Sequence, residues 1–133
     1  MLVDSEEPVT QPARSHLRQR DGWDLRLISE GAVHLMIQVM ETWFVTDAAS
    51  LAQYDRQGFL EGALPRAHNL EAVAKKDIDD ALQRATVKTQ KGEYHKIRHA
   101  AALLERIDAA LVRPRCPACD RLFVTLEKAI DAA

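Results

Sequence analysis

The sequence predicts an all-α fold, a single-domain bundle of four to five helices behind a flexible polar N-terminal tail. Ala, Leu, Glu, Lys, Arg and Gln are plentiful while Gly and Pro number five each, a composition that favours helix. Four segments repeat apolar residues at intervals of three and four. No window sustains the apolar–polar alternation of a half-buried strand. The 133 residues, 47% of them hydrophobic and 29% charged, suffice for one core but not for two.

The elements follow in order. Residues 1–22 are polar, with Pro8, Pro12 and a cluster of Arg14, Arg18 and Arg20, and read as a loose tail. The bundle domain, 23–133, opens with a helix from Trp23, whose stripe from Leu25 to Phe44 is broad enough to be largely buried in its second half. Asp47 is the N-cap expected for a short helix bearing Ala48, Leu51 and Tyr54. Gly58, Gly62 and Pro65 break the pattern, and Phe59, Leu60 and Leu64 predict that this loop packs down onto the core. Asn69 caps the next helix, with Leu70, Ala74, Ile78, Leu82 and Ala85 inside and four-residue charge pairs outside. A further helix is expected from Glu93 to Arg113, stopped by Pro114. Pro117 suits the first turn of the last one, which carries Leu122, Phe123, Leu126 and Ile130.

Charge is unevenly distributed. The net charge is only -2, yet Lys88, Lys91, Lys96, Arg98, Arg106, Arg113 and Arg115 stand against only Glu93, Glu105 and Asp108 in that segment. On a continuous helix Tyr94, Ile97, Ala100, Leu103, Leu104 and Ile107 share one side, while His95, Arg98, His99, Arg106 and Arg113 share the other. Those five side chains are the expected contact face for an anionic partner, either a nucleic-acid backbone or an acidic protein surface. Arg offers two parallel donors to a phosphate or carboxylate, and a protonated His adds more. A sequence pI near 6.2 and only 5% aromatic residues argue for backbone contact without base reading.

Metal and thiol chemistry offer the alternatives. His95 and His99 stand four apart, the spacing that lets two imidazoles share one ion, but Lys96 occupies the place of a zinc-protease glutamate. Cys116-Pro117-Ala118-Cys119 opens a predicted helix, where backbone N–H groups lower a thiol pKa. Zinc is the candidate ion for Cys116 and Cys119, completed by a distant His or by two thiols of a second copy in a homodimer. A redox pair and a half-buried structural pair are the other readings. No nucleophile motif and no phosphate-binding glycine loop occurs.

The expectation is therefore a small non-enzymatic binding protein (an adaptor, inhibitor or assembly subunit), with a metal-dependent bundle or a zinc/thiol switch as the alternative. No apolar run approaches the ~20 residues of a membrane span, and residues 1–22 lack the apolar stretch of a secretory signal. A cytoplasmic setting is the resulting expectation.

Overall fold

A computed structural model describes all residues, 1–133. Helix dominates, but the molecule is not a pure bundle. Strand β1 (Leu2–Asp4) is followed by α1 (Ala13–Asp21), and strand β2 (His34–Met36) then lies parallel to β1. The remaining helices are α2 (Glu41–Phe44), α3 (Ala48–Asp55), α4 (Lys75–Thr86), α5 (Lys96–Arg106), α6 (Ala109–Val112) and α7 (Pro117–Asp131). Leu2 pairs with His34, Val3 with Leu35 and Asp4 with Met36.

Two expectations give way here. The segment expected as a loose tail carries β1 and α1, and the helix expected from Trp23 to Phe44 is replaced by a loop, β2 and the short α2. The cause is the partner strand. A buried parallel strand reads as a continuous apolar run, which periodicity alone does not separate from a buried helix. Three-residue strands are also too short to display alternation. The helix α1 crosses between the strands, as parallel pairing requires, and ends where Gly22, at φ 72, donates its N–H to the carbonyl of Arg18.

The sheet sits between two apolar clusters. Leu35 joins Ala13, Leu17 and Val33 in the smaller one, whereas its neighbour Met36 packs against the larger. The larger cluster runs from Val39, Trp43 and Phe44 through Leu51, Leu70, Ile78 and Leu82 to Leu103, Val112 and both cysteines. The loop after α3 does pack down. Leu64 is buried, Phe59 is half-buried, and Leu60 N–H donates to Ala85 at the end of α4. Gly58 makes this approach feasible: at φ +92, a Cβ there would overlap the backbone carbonyl of Lys88, whose carbon would lie 2.9 Å away.

The helix expected over Glu93 to Arg113 is two helices with a break at Ile107. Asp47, buried at 2% exposure, explains the break. Its Oδ1 accepts the Ser50 N–H at 3.0 Å and caps α3, while its Oδ2 accepts the Asp108 N–H at 3.0 Å. Ser50 donates in turn to the Arg106 carbonyl at 3.2 Å. Backbone groups that would continue the helix are satisfied by α3 instead, and Asp108 caps the new start through Ala110 N–H. The Asp47 carboxyl is held below its ordinary range because these hydrogen bonds outweigh the opposing effect of burial.

Leu17 provides a direct check on the N-terminal segment. It is fully buried, so Leu17→Ala is expected to lower the unfolding free energy by about 2–5 kcal/mol in chemical denaturation. A value near zero would return residues 1–22 to the status of a loose tail.

Candidate functional site

Parallel pairing has a chemical consequence at the carboxyl ends of the strands, the edge at which open α/β sheets bind their ligands. Asp4 closes β1, and the backbone continues in register, with Ser5 N–H on Met36 and Glu6 N–H on Gln38. Glu41 opens α2 five residues beyond β2. Between Glu6, Glu41, α4 and the start of α5 lies a cleft of about 280 Å³. Val39, Lys75, Asp79, Gln83, Tyr94, His95 and Lys96 complete its lining.

Its charges are arranged around two lysines. Lys96 Nζ lies 3.6 Å from Asp4 and 4.0 Å from Glu41, whose side chains are only 14% and 5% exposed. Asp4 also accepts the Met40 N–H at 2.9 Å, and Glu41 accepts the Tyr94 hydroxyl at 3.0 Å. Lys75 forms an ion pair with Glu6, and its backbone N–H donates to the buried Gln38 side chain at 3.2 Å. Asp4, Glu6, Glu41 and Asp79 thus face only two ammonium groups. Burial raises the Asp4 carboxyl, with Lys96 opposing and Glu41 and Glu6 reinforcing. Asp79 is raised by burial and by Glu41, and Tyr94 is pushed far above the ordinary phenol range by burial and Glu41. Tyr94 therefore stays a donor at every working pH. Perturbed carboxylates in a cleft at a strand edge mark a candidate binding site on physical grounds.

The residues expected from sequence are dispersed. His99 is turned inward, 8% exposed, T-shaped against Tyr54 and tilted against Tyr94, with its Nδ1 accepting the His95 N–H at 3.0 Å. Burial and the neighbouring Arg98 lower its pKa, so it carries no positive charge at neutral pH. His95 caps α5 by accepting the Arg98 N–H, so the Nδ1 atoms of both His95 and His99 are engaged by backbone N–H groups of the same turn. Arg113 lies beyond the break, bound to Asp120 and Glu127 at 2.7 Å each. Arg98 and Arg106 remain exposed and form no ion pair. Arg106 and Lys91 both approach the Tyr54 ring, at 5.1 and 4.7 Å from its centroid. Continuous-helix phasing places Arg113 with the others only by running through the break at Ile107, and the buried side of α5 is His99, Ala100 and Leu103.

Cys116 and Cys119 are free thiols, fully buried in the larger cluster. Burial, with Glu71 nearby, pushes them up to about 12 and about 11. The end of α7 does attract an anion, but it is Glu71, which accepts the Ala118 N–H at 2.7 Å. No group of three or more His, Cys, Asp or Glu side chains is arranged to hold a metal ion. Nor is any helix long and apolar enough to cross a membrane.

The model of a family described as a domain of unknown function, DUF4276, matches residues 1–127. The chain belongs to that family. No curated protein and no solved structure is similar enough to this DUF4276 chain to count as a match. The charged cleft, the cationic side around Tyr54 and the buried cysteine pair all fall within the DUF4276 match.

Two measurements test the electrostatics. Asp79 binds its proton more tightly in the folded protein than at its ordinary 3.8, so stability falls as pH rises through the raised value. The penalty is complete at neutral pH. Asp79→Asn is therefore expected to melt above wild type at pH 7, and the difference should close as pH falls toward 3.8. Separately, native Cys116 and Cys119 should label only slowly with a thiol reagent at pH 8 and fully after denaturation. Rapid native labelling would contradict the burial.

Proposed function

We propose that the chain is a binding protein for a phosphate-bearing anionic partner, with a nucleic-acid backbone as the leading candidate. The carrying observation is the pair of cations, Lys91 and Arg106, brought from separate segments onto one aromatic ring while neither forms an ion pair. Lys88 stands exposed in the same turn as Lys91, and His95 stands exposed at the start of α5. Such a surface supplies point charges and one planar guanidinium to successive phosphates without reading bases. An acidic protein surface is the other partner of the same chemistry.

A second reading rests on the cleft. Asp4 and Glu41 are largely desolvated, point at a single ammonium group and lie at the carboxyl ends of parallel strands. A divalent cation displacing Lys96 would take two carboxylate ligands and leave further positions for phosphate oxygens, the usual habit of Mg²⁺. In that reading the cationic side delivers the partner and the cleft engages it. The chain would then support metal-assisted chemistry on a phosphate group.

Fluorescence anisotropy with a labelled single-stranded oligonucleotide separates these ideas. Lys91→Glu with Arg106→Glu is expected to weaken binding at least tenfold, and wild-type affinity should fall steeply with salt. If the cleft reading holds, Mg²⁺ or Mn²⁺ should strengthen binding, and Asp4→Asn with Glu41→Gln should remove that increment alone. Binding indifferent to salt and to the double charge reversal would sink the first reading.

A further inference from the structure

Helix α5 leaves half of its surface uncovered. His99, Ala100 and Leu103 face the core, whereas Ile97 is 89% exposed and Leu104 44% exposed, with Ala101 open between them. These three follow one another at four and three residues, so they form a single apolar stripe along about 10 Å of helix. The sequence pattern had assigned Ile97 and Leu104 to the buried side, so their exposure is a consequence of the true rotation of α5. One flank of the stripe carries Arg98 and Glu105, seven residues and two turns apart. Both are exposed, and neither takes part in an ion pair.

This arrangement is self-complementary. When two identical helices meet antiparallel about a two-fold axis, each flank faces the same flank of its mate, which is the condition for an isologous interface. An axis passing beside Ala101 sets Ile97 of one copy against Leu104 of the other. It also brings Arg98 of one copy to Glu105 of the other, and the pairing occurs twice. The small Ala101 side chain at the crossing point lets the backbones approach.

We propose that the chain self-associates through α5 as an antiparallel two-fold dimer, with Ile97, Ala101 and Leu104 as its seam and Arg98 paired to Glu105 of the second copy. The alternation of sign along the flank favours this occupant over a polyanion, because Glu105 would face a phosphate. The seam is shorter than that of a standard interface, which buries roughly 1,600 Å², so the dimer is weak and concentration-dependent. Lys91 and Arg106 lie away from the stripe, on the side of Tyr54, and stay free to bind a partner.

Sedimentation velocity across a wide range of protein concentration tests the proposal, with circular dichroism verifying that each variant stays folded. Wild type should pass from monomer to dimer as concentration rises, and Ile97→Glu should remain monomeric throughout. Arg98→Glu and Glu105→Arg should each weaken association by about three- to tenfold, since each replaces two attractions by two repulsions. The double variant Arg98→Glu/Glu105→Arg should recover wild-type association, because the pairs reform with their signs exchanged. Wild type that stays monomeric at every concentration would overturn the proposal and leave the stripe to a different protein. A dimer indifferent to Ile97→Glu, or a double variant no better than the singles, would overturn it equally.

Discussion

Everything distinctive about this molecule depends on the backbone pairing of residues 2–6 with residues 34–38. The two formal strands are three residues long, but the ladder continues through Ser5 to Met36 and Glu6 to Gln38. A pair of strands this short is not stable alone. It persists because Leu17 and Ala13 of α1 pack with Leu35 on one side, Met36 packs against the main core on the other, and α7 contacts β2. Arg121 of α7 reaches across to the Val33 carbonyl at 2.9 Å, and His16 of α1 reaches Ser5. Without the pairing, Asp4 and Glu6 would be two acids on a surface strand; with it, Glu6 lines the cleft and Asp4 pairs with Lys96, another of its lining residues.

The buried carboxylates fall into two physical kinds. Asp47 is almost wholly buried and yet ionises more readily than usual, because donors from Ser50 and Asp108 surround it. It acts as a joint between α3 and the α5–α6 break. Asp4 and Asp79 are less well served, and burial together with neighbouring acids drives them the other way. A fold organised only for stability has no use for such crowding, because each like charge brought together costs free energy.

Much of the helical half was legible in the sequence. Asp47 as a cap, the packed loop at Phe59 and Leu64, the buried face of α4 and Pro117 at the start of α7 all occur where spacing and cap chemistry point. The cleft was not. Its residues come from Glu6, Glu41, Asp79 and Lys96, the last paired with Asp4, and they approach one another only after a crossover connection is formed. One local signal existed. Glu41 interrupts an apolar run whose other members are largely buried, and a carboxylate in that position needs partners from elsewhere. The cationic face was half legible: the charges were evident, but the break at Ile107 depends on Asp47, a residue far back in the chain that accepts the Asp108 N–H.

Gly58 gives position 58 an influence out of proportion to its lack of a side chain. The loop after α3 and the turn holding Lys88 touch main chain to main chain, with no flexible group between them to absorb a change. Tyr54 is anchored on one side of that contact and Lys91 on the other. A side chain at position 58 would push these two segments apart, and with them the ring and its nearest cation. Chemically silent variation at this one residue would retune the geometry of the positive surface while leaving every charge in place.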